Sequence, residues 1–212
     1  MKIGILSDIH GDFISLRKAL QFFETLEVQE ILCAGDLVEK GPYEDRVVAE
    51  FRARSVLCVE GNHDENAVRH HRLSEAMQLA DEVALLPETI AYLNGLPHTL
   101  LLDRGEERLL VTHAAPSNNA CAVFDNLNSR KLSKRFKKDL ATADCSLMIL
   151  GHTHYPFDIT FRGKRVINPG AACKLKARDS HTCGILDLAN GDFSVYRLED
   201  LQREEIFAEE AI

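Results

Sequence analysis

Residues 2–12 read Lys2-Ile3-Gly4-Ile5-Leu6-Ser7-Asp8-Ile9-His10-Gly11-Asp12. The apolar run to Leu6 has the look of a buried strand. Asp8 and His10 then stand where that strand gives way to a loop, and a carboxylate and an imidazole two residues apart can face one cation. Asp12 suits the N-cap of a following helix whose buried face would carry Phe13, Leu16, Leu20 and Phe23. Working outward, Ile31-Leu32-Cys33-Ala34 predicts a second strand, ending at Gly35-Asp36. Gly41-Pro42 breaks the chain, and Glu44 to Arg54 reads as a second helix. Val56-Leu57-Cys58-Val59 predicts a third strand, ending at Gly61-Asn62-His63-Asp64. A β-α-β-α-β order implies parallel strands. Their C-terminal ends then share one sheet edge, where open α/β sheets bind ligands.

Farther on, Ser74 to Leu86 predicts a helix, and Glu88 to Asn94 a shorter one stopped by Gly95 and Pro97. Thr99–Asp103 and Arg108–Thr112 form a hairpin about Gly105, with His113 at the end of its second arm. Leu132, Phe136 and Leu140 mark the buried stripe of a helix whose outer face is basic, from Arg130 to Lys138. That face reads as solvated. Leu147-Met148-Ile149-Leu150 is another buried strand, ending at Gly151-His152-Thr153-His154. Hairpin turns at Arg162-Gly163-Lys164 and Ala189-Asn190-Gly191 suggest a second, largely antiparallel sheet. The acidic segment 199–212 has no clear partner. One domain over 1–212, of the α/β class, is expected.

The composition narrows the classes of function. With 25 basic and 33 acidic residues the net charge is −8, which argues against a stable nucleic-acid partner. No apolar run is long enough to span a bilayer, and the chain starts directly on a strand with no leader, so a cytoplasmic location is expected. Six dispersed cysteines without a Cys-x-x-Cys pair fit reduced, mostly buried thiols. The oligomeric state is not legible.

Five apolar runs end in candidate ligands: Asp8 and His10, Asp36, Asn62 and His63, His113, and His152 and His154. Five of the nine histidines stand there. His70, His71, His98 and His181 read as ordinary surface or core residues. By chance, Gly-His-x-His would arise with a probability on the order of 10⁻², and Gly-Asn-His-Asp on the order of 10⁻³. Imidazole, carboxylate and amide donors without thiolate suit divalent ions such as Mn²⁺, Fe²⁺, Zn²⁺, Ni²⁺ or Co²⁺. There are more donors than one tetrahedral ion needs, and a bridging carboxylate would hold two.

The ordered series Asp-x-His, Gly-Asp, Gly-Asn-His-Asp, a lone His and Gly-His-x-His resembles the calcineurin-like metallophosphoesterase superfamily. Ile167-Asn168-Pro169-Gly170-Ala171 is similar to the segment after the last motif in its small bacterial and archaeal phosphodiesterases. The resemblance implies a four-layer α-β-β-α sandwich of two mixed sheets flanked by helices. It implies two divalent ions, with Mn²⁺ the expected choice in vitro. Asp8, His10 and His154 would bind the first, Asn62, His113 and His152 the second, and Asp36 would bridge them. His63 would be the general acid. It implies hydrolysis of a small phosphate ester such as a nucleotide, a diester in the first instance, by attack of a metal-bridging hydroxide. The alternatives are a phosphomonoesterase of the protein-phosphatase or dinucleoside-polyphosphate type, and a non-catalytic scaffold on the same fold. The protein-phosphatase branch carries Gly-Asp-x-x-Asp-Arg-Gly where this chain has Gly35-Asp36-Leu37-Val38-Glu39-Lys40-Gly41. Glu39 and Lys40 thus become candidate contacts to the catalytic histidine and the phosphate, although Lys40 lacks a bidentate fork. Asp64, next to His63, is a third candidate near the substrate. The segment from Glu65 to Arg72 would border the substrate, with Arg69, His70, His71 and Arg72 read as a solvated helix face before a phosphate contact.

Overall fold

The computed structural model describes residues 1–77, 85–125 and 131–210. Strands β1 (Lys2–Leu6), β2 (Glu30–Cys33) and β3 (Leu57–Cys58) alternate with helices α1 (Phe13–Thr25) and α2 (Glu44–Arg54). β1 pairs parallel with β2, and β2 with β3. Asp12 caps α1 as expected, its Oδ1 accepting the Ser15 N–H at 3.0 Å. After α3 (Asn62–Met77) and α4 (Pro87–Asn94) come β4 (Thr99–Arg104) and β5 (Glu107–Thr112), then α5 (Lys134–Thr142) and β6 (Leu147–Ile149). β7 (Phe157–Phe161), β8 (Lys164–Asn168), β9 (Thr182–Asp187) and β10 (Asp192–Arg197) follow, and β11 (Arg203–Glu204) and β12 (Phe207–Glu210) complete the set.

Two six-stranded mixed sheets result, ordered β11-β10-β9-β1-β2-β3 and β12-β7-β8-β6-β5-β4. Alternation along the strands explains the layering. Ile3, Ile5, Leu32 and Ala34 pack with Leu109, Val111, Leu147, Ile149 and Ile167 of the other sheet. The opposite face, with Leu6 and Cys33, receives Leu16, Leu20 and Phe23 of α1 and Val47 and Phe51 of α2. The second sheet is covered by Phe136 and Leu140 of α5. These are the four layers that the family resemblance implies.

Three expectations change. The second sheet is not largely antiparallel: β5 with β6, β6 with β8, and β12 with β7 run parallel. Crossing through α5 brings β6 back beside β5 in the same direction, and the β9–β10 hairpin joins the first sheet by pairing antiparallel to β1. The helix expected over Ser74–Leu86 differs at both of its described ends. Ser74 to Met77 finish α3, 78–84 lie outside the described residues, and Leu86 is the extended N-cap of α4. The acidic segment finds partners within the chain, since β11 pairs with β10 and β12 with β7.

All six cysteines are free and buried. No helix among the described residues is long and apolar enough to cross a membrane.

Candidate metal centre

The parallel strands aim their C-terminal ends at one place. Asp8 and His10 follow β1, Asp36 follows β2, and Asn62 and His63 open α3 just after β3. His113 follows β5, and His152 and His154 follow β6. The structure brings all of them together. Asp8 Oδ1 lies 3.1 Å from His154 Nε2, and the Nε2 atoms of His10 and His154 are 3.3 Å apart. Across the cluster, Asn62 Oδ1 is 3.1 Å from His113 Nε2 and 2.9 Å from His152 Nδ1. Asp36 Oδ2 stands between these groups, 3.6 Å from His10 Nε2 and 3.3 Å from His113 Nε2.

Backbone conformation makes this convergence. Asp8, His10, Asp36, His152 and His154 all have positive φ, between 47° and 64°. Asp, Asn and His enter this left-handed region more readily than other L residues, at a cost on the order of 1–3 kcal/mol each. Two glycines are required by close approach. A Cβ on Gly61 would lie 2.1 Å from Asp36 Oδ1, and one on Gly151 would lie 1.8 Å from Ser7 Oγ.

The rings are oriented from behind. His10 Nδ1 is 3.1 Å from the Val38 carbonyl and 3.0 Å from that of Glu39, and His113 Nδ1 is 2.6 Å from the Ala34 carbonyl. Donation there turns each Nε2 toward the cluster, where the ring offers a lone pair in its neutral form. Asp8 Oδ2 accepts from Ser7 Oγ at 2.6 Å and from the His152 N–H at 3.0 Å. Its Oδ1 is buried with no hydrogen bond of its own. A buried carboxylate oxygen among inward lone pairs fits a cation. Asp8, His10 and His154 form one potential metal-binding group, and Asp8, Asp36 and His113 another.

The electrostatics agree. Burial would raise the Asp8 carboxyl, but the imidazoles of His154 and His113 outweigh it and hold the pKa below the usual range. Asp36 is lowered in the same way, burial being overcome first by His113. Burial opposes charge on His113, yet the Asp36 carboxylate pushes its pKa up to about 10. His152 goes the other way, down to about 4, through burial and then the charge of His113.

The remaining candidates divide. His63 presents Nδ1 to Glu39 Oε2 at 2.5 Å, and its backbone N–H donates to Asp36 Oδ1 at 2.9 Å. Its ring stands edge-on to that of His10, with centroids 4.8 Å apart. Lys40 Nζ is 2.8 Å from His10 Nε2. Asp64 requires a correction. It is fully buried, and its carboxylate accepts the N–H groups of Asp36, Leu37, Val38 and Gly61. With all its capacity spent on backbone it cannot touch a substrate, and it fixes the turn that carries Asp36.

Two residues escaped the sequence reading. Asp179 Oδ1 is 2.8 Å from His154 Nδ1, while its Oδ2 accepts the N–H of Leu175 and of Lys176. It follows His154 by 25 positions in a loop, so no motif spacing marks it. Burial raises the Glu44 carboxyl pKa, and the nearby backbone N–H groups of Glu39 and Lys40, both residues at positive φ, offset part of that rise. The place of Glu44 in the first turn of α2 looks like ordinary dipole matching, which hides this proximity.

Comparison with known proteins agrees with the geometry. Residues 1–191 match the model of the calcineurin-like phosphoesterase superfamily domain. The chain belongs to that superfamily. It is similar to phosphodiesterase MJ0936 of Methanocaldococcus jannaschii, at 24% identity over 94% of this chain and 100% of that protein. Among solved structures, a metallophosphoesterase from Sphaerobacter thermophilus shares the fold with a TM-score of 0.71. Its identity is 23%, over 97% of this chain and 89% of that one. YfcE, a phosphoesterase from E. coli, aligns with a TM-score of 0.61 and 23% identity, covering 97% of each chain. The protein is thus a phosphoesterase-family member with a cluster of metal-binding side chains.

Proposed function

We propose that the protein is a two-metal phosphodiesterase. The observation that carries this reading is Asp36, whose Oδ2 faces His10 on one side and His113 on the other. Asp8, His10 and His154 would hold one divalent ion, Asn62, His113 and His152 the other, and Asp36 both. Bound there, the ions supply an activated water near neutral pH and offset charge on the phosphoryl oxygens. His63 is the general acid. Glu39 fixes its ring through Nδ1, which leaves Nε2 to protonate the departing alcohol. Lys40 adds positive charge beside the cluster, as a point charge without a bidentate fork. Similarity to a named phosphodiesterase supports a diester over a monoester.

The test strips the metals, restores Mn²⁺, Ni²⁺, Zn²⁺ or Mg²⁺ in turn, and compares p-nitrophenyl phosphate with bis(p-nitrophenyl) phosphate. Two ions per chain and faster cleavage of the diester are expected; faster cleavage of the monoester would overturn the diester assignment. His63→Ala is expected to keep both ions and lose about 10²–10⁴-fold in kcat. Normal turnover in that variant would end the acid role of His63.

A further inference from the structure

A cavity of about 180 Å³ opens beside this site. Glu39, which holds His63, also lines it. So do Ala67, His70 and His71. With His63 these fall at i, i+4, i+7 and i+8 of α3, one face of the helix. The face runs from His63 for about 12 Å along the axis. Leu85 and Ile90 complete the apolar side, and Ala67 and Leu85 rest on the core beneath α1 and α2.

What is missing from the lining is informative. Among the described residues no lysine or arginine lines the cavity. The arginines of the same helix are tied elsewhere, Arg69 to Asn66 Oδ1 at 2.7 Å and Arg72 to the Asn94 side chain. Two glutamates stand in the lining instead. One of them, Glu44, stands near the backbone N–H groups of Glu39 and Lys40. An anion entering here would meet two carboxyl groups and no fixed cation. A flat, uncharged ring would meet aliphatic walls and two imidazoles, on which rings stack.

We infer that this cavity receives the leaving alcohol, and that the alcohol is an uncharged aromatic or nucleoside group, not a second phosphate. This rests on the role given to His63 above. In the step, water forms the new P–O bond and the P–O bond to the alcohol breaks. The leaving oxygen takes the proton of His63, and the proton lost by water returns that histidine to its starting state through solvent.

The test uses the full chain reloaded with Mn²⁺. Substrates are bis(p-nitrophenyl) phosphate and adenylyl-adenosine, whose leaving groups are uncharged, and diadenosine tetraphosphate, whose leaving group carries phosphates. The first two are expected to exceed the third in kcat/KM by about tenfold or more. Ala67→Phe fills the cavity and should lower kcat/KM for both by about tenfold or more. Ion content and the Ki of inorganic phosphate report whether that variant is intact. His70→Ala, at an exposed position, should raise KM for adenylyl-adenosine about threefold or more through lost stacking. Preference for diadenosine tetraphosphate would overturn the inference. So would kcat/KM within twofold of wild type in both variants while the diesters are still cleaved. Failure of wild type to cleave any diester would instead remove the phosphodiesterase reading itself.

Discussion

Asp64→Ala separates a structural carboxylate from a substrate contact. The buried Asp64 side chain accepts four backbone N–H groups: Asp36 and Gly61 on Oδ2, both at 2.9 Å, and Leu37 and Val38 on Oδ1 at 2.8 and 3.2 Å. Truncation orphans all four. At about 1–3 kcal/mol for each buried donor, the loss is roughly 4–12 kcal/mol. An opposing effect comes from the carboxyl itself. Burial and then the Asp36 charge push its pKa from 3.8 up to about 7. Removing a group shifted by about three units recovers on the order of 4 kcal/mol where it is ionised. The net destabilisation is therefore centred near about 4 kcal/mol above pH 7. At about 2–4 °C per kcal/mol for a chain of this length, Tm falls by roughly 8–16 °C. The sign with pH follows from the raised pKa. Its contribution to wild-type stability is full below the unfolded value and lost as pH rises through about 7, so the gap to the alanine variant widens from pH 8 to pH 5. Thermal melts of the metal-free protein over that range measure both quantities, and titration calorimetry with Mn²⁺ should show weaker binding because the turn carrying Asp36 is loosened. A melt within about 3 °C of wild type and a gap flat with pH would refute the reasoning. A raised KM with an unchanged melt would restore Asp64 as a substrate contact.

Asp179→Asn removes the carboxylate behind His154, and affinity for one of the two ions should fall about 10–100-fold in calorimetry. Equal weakening of both ions, or of neither, would count against a positioning role. Glu39→Gln keeps a hydrogen bond to His63 but not the charge, so kcat should fall by about tenfold or more with both ions retained. An unchanged kcat would show that the contact is incidental. Despite burial, the Asp36 carboxylate pushes His113 up to about 10, so the metal-free protein holds this proton at neutral pH. Loading with Mn²⁺ at pH 7.5 should release it, seen as a binding enthalpy that varies with the buffer's ionisation enthalpy. Without metal, the stability from His113 is complete below its ordinary value of 6.5 and lost as pH rises through about 10, so melts should fall between pH 7 and pH 10.

Buried strands and glycine turns made most of the fold legible. The runs at Ile3–Leu6, Ile31–Ala34 and Leu147–Leu150 are apolar throughout because both faces of each sheet are covered. The turns at Gly105, Gly163 and Gly191 all have positive φ, which is what a tight hairpin requires. Sheet membership was not legible, because the pairing of β9 with β1 joins opposite ends of the chain and no local pattern encodes it. β12 was hidden as well, since a strand at a sheet edge need not be strongly apolar and this one is half acidic.

The candidate site shows the same division. Residues that would meet an ion or a substrate declare themselves by type and by their place at strand ends. Residues that hold them do not. Asp64 reads as a neighbour of His63, Glu44 as a first-turn glutamate and Asp179 as a loop acid. Yet the turn from Asp36 to Lys40 places Asp36, Glu39 and Lys40 all at positive φ. Three such residues cost on the order of 3–9 kcal/mol together, comparable with the whole stability of a domain. The turn persists because Asp64 takes the N–H groups of residues 36–38, and the Glu44 carboxyl stands near those of 39 and 40. One carboxylate thus secures three consecutive N–H groups of the turn, and a second, from another helix, stands beside the next two. The strain at the site and the unexplained acids around it are two sides of one construction.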